Sequence, residues 1–228
     1  MLRFADPPVP SGDAHPPGLE VGGYVPFSTV DFPGCLAAVV FCQGCPWRCS
    51  YCHNAHLQPF GAGRIAWADI LAKLERRRGL LDGVVFSGGE PTAQSALADA
   101  MRDVRGMGFA VGLHTAGMYP SRLAGVLPLT DWVGFDVKAP FDGRYDLLTG
   151  RSGSADLVCE SLRILLASGV RHQIRTTLDT DHLDDAACEA VRAGLRSANA
   201  PPTHWQVCRK PGNTAGVSVG NPGSGSGK

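Results

Sequence analysis

The stretch Leu36-Ala-Ala-Val-Val-Phe-Cys-Gln-Gly-Cys45-Pro-Trp-Arg-Cys49-Ser-Tyr-Cys52 joins a run of apolar residues directly to a group of closely spaced cysteines. Its first part, Leu36–Phe41, is apolar without interruption, which is typical of a strand buried on both faces. The cysteines begin where this run ends, so we expect them on the loop at the carboxyl end of the strand. The sequence therefore predicts a buried strand followed at once by a loop with metal-binding or redox chemistry.

Segments with strand character recur along the rest of the chain, and helical patterns separate them. The predicted strands are Leu36–Phe41, Gly83–Ser87, Ala110–Leu113, Trp132–Asp136, Val170–Leu178 and His204–Cys208. The predicted helices are Trp67–Arg77, Ala93–Gly106, Ser121–Val126, Ala155–Ser168 and Asp184–Ser197. Strands that alternate with helices indicate parallel βαβ units and an α/β fold. Six units favour an incomplete TIM-type (β/α)6 barrel, because a full eightfold barrel usually needs about 250 residues. A doubly wound open sheet is the alternative.

Length and composition indicate one globular domain. The chain has 228 residues, of which 44% are hydrophobic and 18% charged. Its 21 Lys and Arg residues balance 21 Asp and Glu residues, so it lacks the basic surplus of nucleic-acid-binding proteins. The longest apolar run is too short to span a membrane, and the N-terminus has no secretory pattern, so we expect a cytoplasmic protein without a nucleic-acid or membrane partner. We expect a Pro/Gly-rich extension over 1–21, a barrel domain over 22–212 and a flexible Gly/Ser-rich tail over 213–228.

Four of the eight cysteines fall within eleven residues, at Cys42, Cys45, Cys49 and Cys52. Such clustering indicates metal or redox chemistry, whereas a disulfide framework spreads its cysteines along a small chain. The spacing Cys45-x3-Cys49-x2-Cys52 can hold three corners of a [4Fe–4S] cluster and leave the fourth iron without a thiolate. An open coordination site is what a metal centre needs in order to do chemistry. We therefore predict that these three cysteines are the metal ligands.

A structural zinc site is the alternative interpretation of the same cysteines. Cys42-x2-Cys45 and Cys49-x2-Cys52 would supply four thiolates, and the protein would then be an interaction module without catalysis. Zinc sites of this kind usually separate their two pairs by a dozen or more residues, whereas only three lie between Cys45 and Cys49. Cys42 ends an apolar strand, where a buried cysteine acts as a small hydrophobic residue. We therefore favour the open cluster and interpret Cys42 and Cys35 as non-ligands.

The cysteine motif, with Tyr51 just before its last cysteine, resembles the signature of the radical S-adenosylmethionine (SAM) superfamily. His53-Asn54 after it resembles the Cys-His-Asn of glycyl-radical-enzyme activating proteins. The stretches 25–34 and 39–49 are similar to anaerobic ribonucleoside-triphosphate reductase activating proteins, and the likeness runs from about Gly22 to Gln206.

The resemblance implies an oxidoreductase with one [4Fe–4S] cluster and S-adenosyl-L-methionine as cofactors. Such an enzyme cleaves S-adenosylmethionine reductively to methionine and a 5′-deoxyadenosyl radical, and so makes a glycyl radical on a partner enzyme. The implied partner is an anaerobic ribonucleotide reductase, and the electron comes from an external one-electron donor such as flavodoxin or ferredoxin. Activation of another glycyl radical enzyme, or radical chemistry on a small molecule as in carboxy-deazaguanine synthases, are the alternatives within the superfamily.

The resemblance also implies a binding site for S-adenosylmethionine. The segment with Gly88, Gly89 and Glu90 corresponds to the one that binds the methionine amino group; the two glycines allow close approach and Glu90 supplies a carboxylate. Thr115 lies in the segment expected near the ribose, and Tyr51 is counted among the cofactor-binding residues. An ordinary strand–helix turn is the alternative for the Gly-Gly-Glu segment.

Three charged residues complete the implied site. Asp136 and Lys138 resemble an Asp-x-Lys segment that lies near the cofactor and the incoming peptide. Arg175, together with Thr177 on the same predicted strand, is a candidate for the cofactor's carboxylate, which a guanidinium binds with two hydrogen bonds. Ion pairs without a catalytic role are the alternative for all three. His114 stands where formate-lyase activators have an aspartate, so a cation site that uses that aspartate is in doubt.

Overall fold

The computed structural model describes residues 18–208, so the predicted tail and most of the predicted N-terminal extension lie outside the described residues. This part contains one seven-stranded sheet and six α-helices. The strands are β1 (Val21–Ser28), β2 (Ala37–Cys42), β3 (Gly83–Gly88), β4 (Ala110–Thr115), β5 (Trp132–Asp136), β6 (Arg171–Leu178) and β7 (His204–Val207). The helices are α1 (Trp67–Glu75), α2 (Leu97–Gly106), α3 (Pro120–Val126), α4 (Gly143–Thr149), α5 (Ser154–Ser168) and α6 (Asp185–Ser197).

The strand order confirms the incomplete TIM-type barrel. The strands lie side by side in chain order from β1 to β7; β1 and β2 are antiparallel, and every later neighbouring pair is parallel. A doubly wound sheet needs a point at which the strand order reverses, and this sheet has none. Right-handed crossovers that always proceed in one direction keep the helices on one face, so the sheet curls around its other face.

All six predicted parallel strands are confirmed as β2 to β7, with ends that differ by at most two residues. The continuous apolar run became β2, in which Ala37, Ala38, Val39 and Val40 are all buried. Helices α1, α3, α5 and α6 also lie where the periodicity predicts them, although α1 ends at Glu75 rather than Arg77. Long apolar patterns decide these elements because both faces of the strands and one face of each helix must be removed from water.

Two elements were not predicted. Strand β1 contains Gly22, Gly23 and Pro26 and pairs with β2 through two register shifts, as an edge strand can tolerate. Helix α4 is seven residues long, as α3 is, but no helical pattern was recognised in its sequence. Its end signals are nonetheless clear: the Asp142 side chain accepts a hydrogen bond from the Arg144 N–H at 2.9 Å, and Gly150 ends the helix with a φ of +68°.

The predicted helix Ala93–Gly106 begins later than expected, at Leu97. A short 3₁₀ turn over Pro91–Ala93 comes first, and Gln94 then adopts an extended backbone. The Gln94 side chain binds the backbone N–H and carbonyl of Glu20 and the carbonyl of Gln43. These long-range hydrogen bonds explain the interruption, because they hold Gln94 away from a helical path.

The inner face of the barrel is apolar at one end and polar at the other. Phe32, from the β1–β2 loop, is fully buried and stacks on Trp132 with ring centroids 5.7 Å apart. With Ala37, Val39 and Val85 they fill the end of the barrel at which the parallel strands begin. A larger core lies between the sheet and the helices. The carboxyl end of the barrel is thus left for polar residues. No helix among residues 18–208 is long and apolar enough to cross a membrane.

Candidate functional site

The predicted site residues come together in one cavity at the carboxyl ends of the parallel strands. The residues from the sequence analysis that line it are Cys45, Cys49, Tyr51, Cys52, Gly88, Gly89, Glu90, Thr115, Asp136, Lys138 and Arg175. They come from the loop after β2, the ends of β3, β4 and β5, and the inner face of β6. Active sites of TIM-type barrels form at this end because all the parallel strands deliver their following residues there.

The loop after β2 brings the three predicted metal ligands to the cavity wall. Gly44 turns the chain with a φ of +95°, a conformation that glycine adopts without steric cost. The loop closes on itself where the Gly44 N–H donates to the Leu57 carbonyl at 2.8 Å and the Cys45 N–H donates to the Gln58 carbonyl at 3.0 Å. None of the three thiols is in a disulfide. Burial raises the pKa of Cys45 to about 12, so this thiol stays protonated unless a cation binds it.

The donor set fits a multi-iron cluster better than a single zinc ion. Cys42 is fully buried in the core between sheet and helices and does not line the cavity, so it does not join the other three thiols. Within residues 18–208, no three Cys, His, Asp or Glu side chains are close enough together to hold one metal ion. A cluster presents a separate iron to each thiolate, so its ligands need not converge on one point. Cys35 packs against the apolar cluster at the opposite end of the barrel.

Gly88 and Gly89 lie where the end of β3 touches the cysteine loop. A Cβ atom on Gly88, whose φ is +115°, would be 2.4 Å from the backbone nitrogen of Cys42. One on Gly89 would be 2.3 Å from the carbonyl oxygen of Gly44. The two backbones are joined there by hydrogen bonds from the Gly89 N–H to the Cys42 carbonyl and from the Glu90 N–H to the Gly44 carbonyl. The glycines are therefore required by backbone packing, in addition to any approach of a ligand.

Glu90 joins the ends of β3 and β4. Its carboxylate is buried; Oε1 accepts hydrogen bonds from the Thr92 N–H, the Thr92 hydroxyl and the Thr115 hydroxyl, and Oε2 accepts one from the Ala116 N–H. Burial raises the pKa of Glu90, and these hydrogen bonds oppose that shift. The carboxylate caps the short turn at Pro91, as the strand–helix interpretation expects. Oε2 accepts only one of these bonds, so it keeps acceptor capacity for the predicted ammonium group.

Asp136, Lys138 and Arg175 form one charged cluster across β5 and β6. Arg175 Nε and Nη2 lie 2.9 and 2.8 Å from Asp136 Oδ1, and Lys138 Nζ lies 3.5 Å from Asp136 Oδ2. Burial alone would raise the pKa of Asp136, but the two cations lower it below its usual value. Gly134 makes room for this pair, because a Cβ there would be 2.8 Å from the Arg175 guanidinium. The ion pairs that the sequence left as an alternative are thus present, and all three side chains still face the cavity.

Aromatic side chains that pack against the cysteine loop were not predicted from the sequence. Trp47 is buried, lines the cavity and packs edge-on against Tyr145 of α4 at 5.9 Å. The Tyr145 hydroxyl accepts a hydrogen bond from the Lys138 backbone N–H at 3.0 Å, and the Arg48 N–H donates to the Thr149 carbonyl at 2.9 Å. Trp47 stood in the cysteine motif, so it could have been found there. Tyr145 carried no signal because its helix was not predicted.

Comparisons with known proteins agree on one superfamily. The sequence profile of the radical SAM superfamily matches residues 39–192. A protein of Methanocaldococcus jannaschii, named as a glycyl-radical enzyme activating enzyme, is 29% identical over 198 residues, which is 78% of this chain and 76% of that protein. The pyruvate formate-lyase-activating enzyme of Clostridium pasteurianum is 36% identical over 65% of this chain, and pyruvate formate-lyase 1-activating enzyme of Escherichia coli K12 is 30% identical over 69%. The chain covers 66% of each of these two.

Solved structures share the fold at low sequence identity. TYW1, solved with a lysine-pyruvate adduct bound, superposes with a TM-score of 0.59 at 17% identity and covers 77% of this chain and 65% of its own. SuiB of Streptococcus suis, bound to the precursor peptide SuiA, gives a TM-score of 0.60 at 12% identity, over 73% of this chain and 38% of its own. The superfamily profile spans the strands and loops that build the cavity. The chain therefore belongs to the radical SAM superfamily, whose enzymes use a [4Fe–4S] cluster and S-adenosylmethionine.

Proposed function

We propose that the protein is a glycyl-radical-enzyme activating enzyme that holds a [4Fe–4S] cluster through Cys45, Cys49 and Cys52. The observation that carries the proposal is that three unpaired thiols share one cavity with the Gly-Gly-Glu segment and the charged cluster at Asp136. A structural metal site would need no such cavity, since its coordination is closed by protein ligands.

In this proposal each wall of the cavity binds one part of S-adenosylmethionine. The backbone at Gly88 and Gly89, with Oε2 of Glu90, receives the methionine ammonium group. Arg175 and Lys138 supply positive charge for its carboxylate, and Asp136 holds both cations in place at 2.8 to 3.5 Å. Thr115, which lines the same cavity, would bind near the ribose, and Tyr51 would lie near the cluster. Buried charges arranged before the ligand arrives need little reorganisation when it binds.

When bound, the cluster supplies the electron that splits S-adenosylmethionine into methionine and a 5′-deoxyadenosyl radical. An external carrier such as flavodoxin or ferredoxin would provide that electron. That radical would be the species able to remove a hydrogen atom from a glycine Cα of the partner. The protein's part would be to orient the sulfonium, exclude water and admit the glycine at the polar end of the barrel.

The proposal also names which glycyl radical enzyme is activated. The resemblance of residues 25–34 and 39–49 favours an anaerobic ribonucleoside-triphosphate reductase, whereas the names of the Clostridium and Escherichia relatives favour pyruvate formate-lyase. We take the reductase as the proposed partner because that resemblance includes the segment before the cysteine loop. Pyruvate formate-lyase is the second candidate.

Reconstitution with iron and sulfide under argon tests the cluster. We expect about four irons per chain and an open site that changes its EPR spectrum when S-adenosylmethionine is added. Cys45→Ala, Cys49→Ala and Cys52→Ala should each lose the cluster, whereas Cys159→Ala, which removes an exposed thiol, should keep it. Stoichiometric zinc on four thiolates would overturn the proposal.

Radical transfer tests the partner. The reduced protein and S-adenosylmethionine are incubated with an anaerobic ribonucleotide reductase or with pyruvate formate-lyase, and the glycyl doublet is followed by EPR. A doublet on the reductase, absent with Cys45→Ala, is expected. A doublet on pyruvate formate-lyase alone would reassign the partner, and none on either enzyme would contradict glycyl radical activation.

A further inference from the structure

The turn from Cys49 to Cys52 carries two of the three proposed ligands. Tyr51 packs against the core, with Lys138 Nζ 5.9 Å from its ring centroid, but backbone hydrogen bonds do not tie the turn to the barrel. Among the backbone hydrogen bonds described for residues 18–208, it makes only an internal one, from the Cys52 N–H to the Cys49 carbonyl at 3.1 Å. The first half of the loop, by contrast, is fixed by the backbone contacts of Gly44, Cys45 and Arg48. Side chains must therefore hold the second half.

A chain of hydrogen bonds provides such a link at Ser50. The Ser50 hydroxyl lies 2.9 Å from His182 Nε2, and His182 Nδ1 lies 2.8 Å from Asp179 Oδ2. Ser50 follows β2 and His182 follows β6, so this contact joins two loops whose strands are not neighbours in the sheet. The arrangement fixes the imidazole at both nitrogens, which sets its orientation.

Asp179 is well placed to anchor this chain. Its side chain is only 5% exposed, and its backbone carbonyl accepts hydrogen bonds from the N–H groups of His182 and Leu183 at 3.0 and 2.8 Å. It directly follows β6, the strand that carries Arg175. The carboxylate therefore anchors the imidazole to the end of β6. His53, which directly follows Cys52, makes a second contact of this kind, with Nε2 3.5 Å from Cys208 Sγ.

We infer that His182, oriented by Asp179, is a positioning residue that holds Ser50 and thereby fixes Cys49 and Cys52 relative to Cys45. This inference rests on the proposed function, since it concerns a cluster at those three cysteines. His182 would touch neither the cluster nor S-adenosylmethionine. Residues that orient metal ligands in this indirect way typically change metal affinity by 10- to 100-fold when they are removed.

The test compares iron loss from reconstituted protein under argon in the presence of excess chelator. His182→Ala should lose iron roughly tenfold faster than wild type. Ser50→Ala should have the same effect, and the double variant should be no worse than either single one, because both remove one interaction. His182→Gln, whose amide can reach Ser50, should restore most of the wild-type rate. His172→Ala is the matched control, because that imidazole binds the Val170 carbonyl at the other end of the barrel.

The EPR spectrum of the reduced cluster gives a second readout that a general loss of stability would not change. We expect His182→Ala to alter the spectrum and weaken its response to S-adenosylmethionine, with His182→Gln close to wild type. Wild-type iron loss and spectra in His182→Ala, additive effects of the two alanine variants, or failure of His182→Gln to rescue would each overturn the inference. Absence of a cluster from the wild-type protein would instead overturn the proposed function on which it rests.

Discussion

His114 shows how a single residue can be polar, buried and uncharged. It is the next-to-last residue of β4 and lines the cavity, with its ring edge-on to Trp132 at 5.6 Å and Nε2 at 2.8 Å from the Asp31 carbonyl. Burial, helped by the positive charge of Arg175, lowers the pKa of His114 to about 4, although Asp136 and Asp31 act in the opposite direction. The imidazole is therefore neutral at physiological pH and donates its Nε2 proton to the carbonyl.

This depressed pKa predicts a pH-dependent stability. Between the usual value of 6.5 and about 4 the unfolded chain binds a proton at His114 that the folded chain does not, so stability falls as pH falls across this range. The loss should approach about 3 kcal/mol and level off below the folded pKa. Urea unfolding of the metal-free protein should show this loss in wild type and a smaller one in His114→Gln. Parallel pH profiles for the two proteins would contradict the prediction.

The sequence was sufficient to predict which residues form the site, but it only partly explained why each position needs that residue type. The spacing of Cys45, Cys49 and Cys52 suggested a common loop, and the structure places all three on one cavity. Gly88 and Gly89 were expected to admit a ligand, whereas the structure shows that the end of β2 and the cysteine loop come within 2.4 and 2.3 Å of where their Cβ atoms would be. Such contacts between loops depend on the folded sheet and leave no local pattern.

At the level of elements, the long apolar patterns were predicted from the sequence, whereas of the two seven-residue helices only α3 was. Strand β2 and helix α5 bury long runs or stripes, and their periodicity is sufficient to find them. Strand β1 and helix α4 are held in place by neighbours instead: β1 by pairing with β2, and α4 by its contacts with the cysteine loop. Tertiary contacts decided these two elements, so single-sequence patterns could not.

Helix α4 should contribute to stability through one hydrogen bond to the segment after β5. Tyr145→Phe would leave the Lys138 N–H without the hydroxyl that accepts its hydrogen bond at 3.0 Å, at a cost of about 1–3 kcal/mol. Tyr119→Phe is the matched control, because the Tyr119 hydroxyl is buried without a hydrogen-bond partner in the described structure, and its removal should cost nothing measurable. Urea unfolding of the metal-free proteins measures both. Equal stability of the two variants would show that the Tyr145 bond does not matter.

In the molecule as a whole, the residues that stabilise the barrel interior and the predicted site residues lie at opposite ends of the barrel axis. The end at which the strands begin is closed by an apolar cluster around Phe32 and Trp132, and the other end carries every predicted site residue. Hydrophobic packing needs residues that exclude water, whereas the site needs charged and thiol groups, so the two requirements are met on opposite ends of the same strands. A change at one end should therefore leave the other largely intact.

Phe32 provides the test of this separation. Phe32→Ala removes a fully buried ring and should destabilise the metal-free protein by about 3–5 kcal/mol. Phe27→Ala, on the exposed edge strand β1, should cost about 1 kcal/mol or less, since that ring is 53% exposed. The folded, reconstituted forms of both variants should bind S-adenosylmethionine with wild-type affinity, as equilibrium titration can measure below the unfolding temperature of Phe32→Ala. A large loss of affinity in folded Phe32→Ala would mean that packing at the closed end also shapes the cavity, because strain then passes along the strands to the residues that follow them.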